Sequence, residues 1–281
     1  LEQRSQLVAG LTVALSPRVR RIVARNAGLM TGPGTNTYLL GTHDIAVLDP
    51  GPEDDSHLQA IVHASHGRIR WVIVTHTHRD HSPLARALVA ATGAQLIGLP
   101  PPRDGRQDDT FHPDHEPRDG ERLTLADLSL TAIHTPGHAS NCVCYLLESD
   151  ALLFTGDHIL EGVSPVILPP DGDMSAYLDS LDKLSEYAFN RIAPGHGGLM
   201  DEAKRAVEAL KRHRLMREDK VLRSIRSLSD ATLDELVARV YDDVSPERHA
   251  WAKLTLQAHL IKLVREGRIC EYAGVWRVSA R

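Results

Sequence analysis

The stretch "VIVTHTHRDHS", Val72–Ser82, places His76, His78, Asp80 and His81 within six positions directly after an apolar run. Alternate side chains of a strand emerge on one side, so His76 and His78 can face a single ion. Asp80 and His81 lie past the strand, where "DHSPLARAL" (80–88) opens a helix, and the intervening turn can swing them to a second ion. The closeness of the two sets predicts a two-metal site, with ions roughly 3.5–4 Å apart.

Three further segments offer ligands at strand ends. They are His138 in "TPGHAS" (135–140), Asp157 in "FTGDHI" (154–159) and His196 in "APGHGG" (193–198). Each follows a glycine, which suits a sharp strand-to-loop turn with the next side chain projecting from the sheet edge. The set holds five imidazoles and two carboxylates without a thiolate. Such donors suit zinc, with manganese, iron or cobalt as other metals they accept.

The chain around these residues has 281 positions, 42% hydrophobic and 25% charged, as expected of one large domain or a large one plus a small one. No apolar run approaches the roughly 18–20 residues that span a bilayer, so no membrane partner is expected. The N-terminal stretch 1–21 lacks the charged start, apolar core and small-residue cleavage site of a secretory leader. Cys142, Cys144 and Cys270 make no disulfide framework and read as small buried hydrophobes, which favours a cytoplasmic location. Charge is uneven: residues 211–281 carry 15 basic against 10 acidic side chains, and the rest of the chain 17 against 27. This asymmetry hints at two modules with different partners.

Strands are expected at "IAVLDPG" (45–51), "WVIVTH" (71–76), "AQLIGL" (94–99), "LSLTAIHTPGH" (128–138), "RIAPGHG" (191–197), and twice within 141–158. Helical spacing covers 54–65, 83–92 and about 174–189. Residues 100–120, rich in Pro, Asp and Gly, read as a flap or surface loop rather than a core element. The tail reads as helices over 201–226, 232–240 and 245–267, then a hairpin over 268–278, which is the layout of a winged helix. His57, His63 and His66 read as solvent-facing, His112 and His115 as loop residues, and His213 as part of the tail helix. His134 and His158 lie nearer the site.

These residues resemble the metallo-β-lactamase superfamily: His76-x-His78-x-Asp80-His81 matches its signature, and His138, Asp157 and His196 match its later ligands in order. The resemblance implies an α/β fold, the αββα sandwich, over a catalytic domain of 1–205, with a winged-helix domain over 206–281. It implies two zinc ions per chain, or Mn2+ or Fe2+. His76, His78 and His138 would hold one ion, Asp80, His81 and His196 the other, and Asp157 would bridge them. It also implies that Asp49, in "VLDPG", is a carboxylate behind the ligands that orients their loop. Two cations would lower the pKa of a shared water from about 15.7 towards about 7, giving a metal-bound hydroxide that attacks a carbonyl or phosphorus centre. Asp80, the candidate catalytic residue, would orient that hydroxide.

Departures from the pattern narrow the expectation. Asp157 stands where true β-lactamases of the fold generally carry Cys or Ser, and His78 stands where the flavo-diiron branch has Glu. Only 38 residues separate Asp157 from His196, too few for the insert of the β-CASP nucleases, and the C-terminal helices of glyoxalase II are not evident. "GPGTNTYLLG" (32–41), "HRLMRE" (213–218) and the tail resemble the lactamase-beta-like protein 2 group. That group implies a zinc-dependent hydrolase acting on an ester, a thioester or a carrier-bound acyl substrate, or an endoribonuclease cutting single-stranded RNA. The acidic catalytic part, which repels a long polyanion, leans the expectation towards small esters and thioesters. The winged helix is expected to serve packing or homodimer formation more than nucleic-acid contact. A non-catalytic nucleic-acid binder would require lost ligands, and none is missing.

Overall fold

The computed structural model describes residues 7–279. The first six residues of the N-terminal stretch discussed above lie outside them. The chain divides into two compact units, one of Leu1–Thr135, Asn141–Pro165 and Glu186–Lys204, the other of Pro136–Ser140, Val166–Ser185 and Arg205–Arg281.

The first unit holds two sheets. Strands β1 (Thr12–Ser16), β2 (Val19–Val23), β3 (Asn36–Leu40), β4 (Ile45–Leu48), β5 (Ile69–Ile73) and β6 (Gln95–Ile97) lie side by side in chain order. Pairing is antiparallel up to β4 and parallel from β4 through β6. Parallel neighbours need a crossover, and helices α1 (Asp55–Ser65) and α2 (Leu84–Thr92) supply it. The second sheet holds β7 (Arg122–Leu125), β8 (Leu128–His134), β9 (Val143–Leu147), β10 (Leu152–Gly156) and β11 (Arg191–Pro194), in the order β11-β10-β9-β8-β7.

Side-chain alternation along the first sheet builds two cores. Tyr38, Leu48 and Ile73 point to one face and pack with Ala132, Tyr145 and Phe154 of the second sheet. Leu39, Val47 and Val72 point to the other and pack with Ile61 of α1 and Leu88 of α2. Strands covered on both faces lose the apolar–polar alternation, which is why β4 is buried at every position. Polar threads join the sheets near one end: Tyr38 Oη donates to Pro194 O at 2.8 Å, and Val143 N to Thr75 O at 2.8 Å.

Three expectations are corrected by the structure. His57 is buried, not solvent-facing. The inward stripe of α1 includes residues 57, 61, 64 and 65, and His57 Nε2 lies 2.8 Å from Thr37 Oγ1. Burial pushes its pKa down to about 4, so it is held neutral. The 100–120 segment contributes to the core through Phe111, only 2% exposed, and its Asp114 and His115 amides donate to Leu96 O of β6. Cys270 is exposed on its strand, whereas Cys142 and Cys144 are buried.

The second unit contains α3 (Met174–Ser185), most of α4 (Ala203–Leu228), α5 (Leu233–Val240) and α6 (His249–Arg265). Strands β12 (Ala231–Thr232), β13 (Ile269–Tyr272) and β14 (Val275–Val278) form its small sheet, in the order β12-β14-β13. Its own core packs Val221, Leu222 and Ile225 of α4 against Leu236, Val240, Leu256, Leu260 and Ile269. Thr232 caps α5 in a reciprocal box with Glu235. No helix among the described residues is long and apolar enough to cross a membrane.

Candidate metal centre

The ends of β5, β10 and β11 and the loop before α2 converge on one cluster in the first unit. β5 stops at Ile73, and Val74 N still reaches Ile97 O on β6. From Thr75 the chain leaves the ladder and is taken over by Asp49, whose left-handed backbone (φ 50) follows β4. Asp49 Oδ1 accepts from Thr75 N at 2.7 Å. Oδ2 accepts from Thr75 Oγ1 at 2.7 Å and from His81 Nδ1 at 2.9 Å. A carboxylate only accepts, so His81 carries its proton on Nδ1 and turns Nε2 into the cluster.

His196 is set in the same way. Its Nδ1 donates to Gly34 O at 3.2 Å, which aims Nε2 inward. Asn36 Nδ2 donates to Pro194 O and Gly197 O, both at 2.9 Å, and clamps the loop that carries His196 from either side. Gly195 must lack a side chain, because a Cβ there would lie 2.6 Å from Asp157 Oδ1 and 2.7 Å from His81 Cε1.

The result is compact. His81 Nε2 lies 3.5 Å from Asp80 Oδ2 and 3.3 Å from Asp157 Oδ1, and His196 Nε2 lies 3.1 Å and 3.3 Å from the same two oxygens. Ligand atoms of Asp80, His81, Asp157 and His196 all fall within 4.8 Å of one another. Beside them His76 Nε2 and His78 Nδ1 approach to 3.0 Å, and the His76 and His81 rings lie 4.2 Å apart. His138 belongs to the second unit, where its Nδ1 donates to Val166 O at 2.7 Å.

Electrostatics explain what such a cluster asks for. Burial disfavours the His81 and His196 imidazolium forms, yet the carboxylates around them prevail. Asp80, Asp157 and Asp49 hold His81 well above its ordinary range, and Asp157 with Asp80 raises His196 to about 9. Asp157 works against burial too, and the two imidazoles hold it well below the usual carboxylate range. Asp80 is lowered for the same reason. The site therefore demands positive charge at its centre. His81 Nε2 and His196 Nε2 are buried without a hydrogen bond of good geometry, which two nitrogen and two oxygen donors around a divalent cation would resolve. The residues fit a metal.

His134 points elsewhere, with Nε2 2.8 Å from Pro117 O, and His158 is fully buried. Reading the sequence missed the scaffold beneath the HxH turn. Thr77 Oγ1 donates to Gln107 Oε1 at 2.6 Å and accepts from Asn141 Nδ2 at 2.7 Å, while Asp108 N donates to Thr77 O at 2.8 Å. Only the alternation of the two histidines, which turns Thr77 away from them, signals this role.

Comparison with known proteins agrees with the fold. Residues 30–196 match the metallo-beta-lactamase superfamily and residues 232–276 the beta-lactamase associated winged helix domain. The chain belongs to the metallo-beta-lactamase superfamily, whose members are generally hydrolases, and carries its associated winged helix. It is 31% identical over 226 residues to an atrochrysone carboxyl ACP thioesterase of Aspergillus fumigatus, covering 76% of this chain and 67% of the other. It is 29% identical over 266 residues to the beta-lactamase-like protein 2 homolog of Caenorhabditis elegans, covering 92% and 85%. A beta-lactamase domain protein from Burkholderia ambifaria superposes with a TM-score of 0.81 at 18% identity over 96% and 95% of the two chains, which speaks for the fold.

Proposed function

We propose that the chain is a dinuclear metal-dependent hydrolase of esters or thioesters, including acyl groups borne on a carrier protein. The observation that carries this reading is the cluster of Asp80, His81, Asp157 and His196, whose inward imidazole nitrogens and surplus negative charge call for a cation. By the pattern of the family, His76 and His78 with His138 would hold the other ion, and Asp157 would serve both ions. The imidazole-rich, thiolate-free donor set favours zinc, with Mn2+ and Fe2+ as other metals it accommodates. Bound divalent cations supply Lewis acidity that makes water a nucleophile at neutral pH.

The chain's own residues do the rest. Asp80 is the most exposed member of the cluster, with its side chain 28% accessible against 0%, 5% and 11% for His81, His196 and Asp157. Held anionic, it accepts a hydrogen bond from the attacking water and turns that oxygen towards the acyl carbon. Asp49 keeps His81 in the tautomer that presents Nε2, and Gly34 O does the same for His196. The boundary we adopt ends the catalytic domain at residue 205 and gives 206–281 to the winged helix.

The choice of substrate rests on the thioesterase among the relatives and on two charge observations. Residues 1–210 carry a net charge of −10. The basic side chains of α6 are already engaged: Lys262 with Glu218 and Glu266, Arg265 with Asp173, and Lys253 with Asp234. A helix whose cations are neutralised at home has little to offer a phosphate backbone. The test sets an acyl-thioester probe beside a phosphodiester probe on zinc-loaded protein, with Asp80→Asn as control. Thioester turnover, lost in the control, is expected. Dominant phosphodiester cleavage would instead assign the site to single-stranded RNA.

A further inference from the structure

The exposed side of α4 is ordered about its middle. Glu208, Lys211, Arg212, Leu215, Met216 and Asp219 line a shallow groove along the helix. Leu215 and Met216 are 43% and 65% exposed at its centre, large apolar side chains set among charges. Among the described residues Glu208 and Arg212 have no ion-pair partner, and Asp219 is met by Arg223 of its own helix at 3.1 Å.

The residue types invert about the midpoint between Leu215 and Met216. Glu208 is mirrored by Arg223, Arg212 by Asp219, and Leu215 by Met216. All six stand on the side of α4 away from its buried residues Val207, Arg214, Arg217 and Val221. We propose that this face of α4 binds a second copy of the chain, the two helices packing antiparallel about a two-fold axis between Leu215 and Met216.

A two-fold contact sets residue i against j and j against i, so a face suits it only when its sequence is complementary to its own reversal. In this register Arg212 faces Asp219 of the second copy, Glu208 faces Arg223 of the second copy, and the apolar pair meets at the axis. Each charge pair occurs twice by symmetry. Of the two like-charge mirrors, Arg214 with Arg217 is buried on the far side of the helix, and Lys211 with Lys220 is quenched in advance, since Lys211 is paired with Asp182 and Lys220 with Asp242. A partner of other sequence would have to supply the same alternation, which the chain already carries. Positions 208–223 span about 23 Å of helix. One such helix pair is a small interface, so a dimer of roughly micromolar strength is expected.

Sedimentation velocity of the full chain over about 1–300 µM tests this, with the charges reversed in turn. The wild type should shift from monomer to dimer with concentration. Arg212→Glu and Asp219→Lys should each raise the dimer Kd at least about tenfold, because each puts like charges face to face twice. The combined Arg212→Glu/Asp219→Lys variant should recover at least about fivefold relative to either single one. Recovery is the decisive readout, since a merely structural effect of two surface changes would add rather than cancel. Far-ultraviolet circular dichroism confirms that α4 remains folded in each. A wild type that stays monomeric throughout, a dimer indifferent to the reversals, or a double variant no better than the singles would overturn the proposal.

Discussion

Asp49 satisfies three donors with two oxygens, and that economy makes its replacement informative. In Asp49→Asn one oxygen becomes an amide that can only donate. Facing either Thr75 N or His81 Nδ1–H, it opposes a donor where it must accept. His81 is then released to the other tautomer, with Nε2 protonated towards the cluster. Metal affinity is expected to fall about 10–100-fold while the fold persists. Chelator competition read by metal content, beside a thermal melt, checks this. Unchanged affinity would reduce Asp49 to a structural bond of the β4–β5 edge.

At the scale of elements, the 100–120 segment acts as a brace under the ligand turn. Thr77 sits between the two histidines with its hydroxyl buried between Gln107 and Asn141. Thr77→Val keeps the volume but takes the donor from buried Gln107 Oε1 and leaves Asn141 Nδ2 with Pro100 O alone, at 3.1 Å. A loss of about 1–3 kcal/mol is expected, the cost of one buried polar group deprived of its partner. Urea unfolding measures the loss, and kcat on the favoured probe should fall as the HxH turn loosens. The clamp at the other wall, Asn36 on the Pro194–Gly197 loop, works by the same logic. It explains why β3 begins with a buried polar residue.

For the whole molecule, the second unit carries a charge cluster that its core must keep ionised. Glu218 is nearly buried, with Lys262 at 2.8 Å and Arg268 at 2.9 Å. Burial opposes its charge, but His259 and Lys262 outweigh that and bring its pKa to about 2. A carboxyl depressed on folding stabilises fully above its unfolded value, near 4.3, and that stability is lost as pH falls towards 2. The stability of this unit should therefore fall between about pH 4.3 and pH 2 by an amount on the order of 2 kcal/mol. Trp251 and Trp276 report it by fluorescence once Trp71→Phe silences the first unit. Lys262→Met should flatten the pH dependence. An equally steep dependence in that variant would move its origin to other carboxylates.

Legibility differed by kind of information. The turn that carries the candidate donors was readable because a strand's alternation and a short loop leave little freedom for residues within six positions, and the later candidates each sat behind a glycine. The tail's helices and hairpin were readable from periodicity and caps, as Thr232 with Glu235 illustrates. β1 and β2 were not, because "TVALS" is a half-exposed edge and "VRRIV" sets two arginines among its apolar residues, one of them buried Arg21. His57 was misread because a lone histidine on a helix looks solvated until Thr37, twenty residues away, supplies its bond. The sequence by itself determined which donors exist, where turns place them and the class of fold. Only the tertiary structure decided which nitrogen His81 and His196 present to the cluster and what pins the loops that carry them. Those depend on acceptors such as Gly34 O and Asp49 Oδ2, which lie 162 and 32 residues from the histidines they orient.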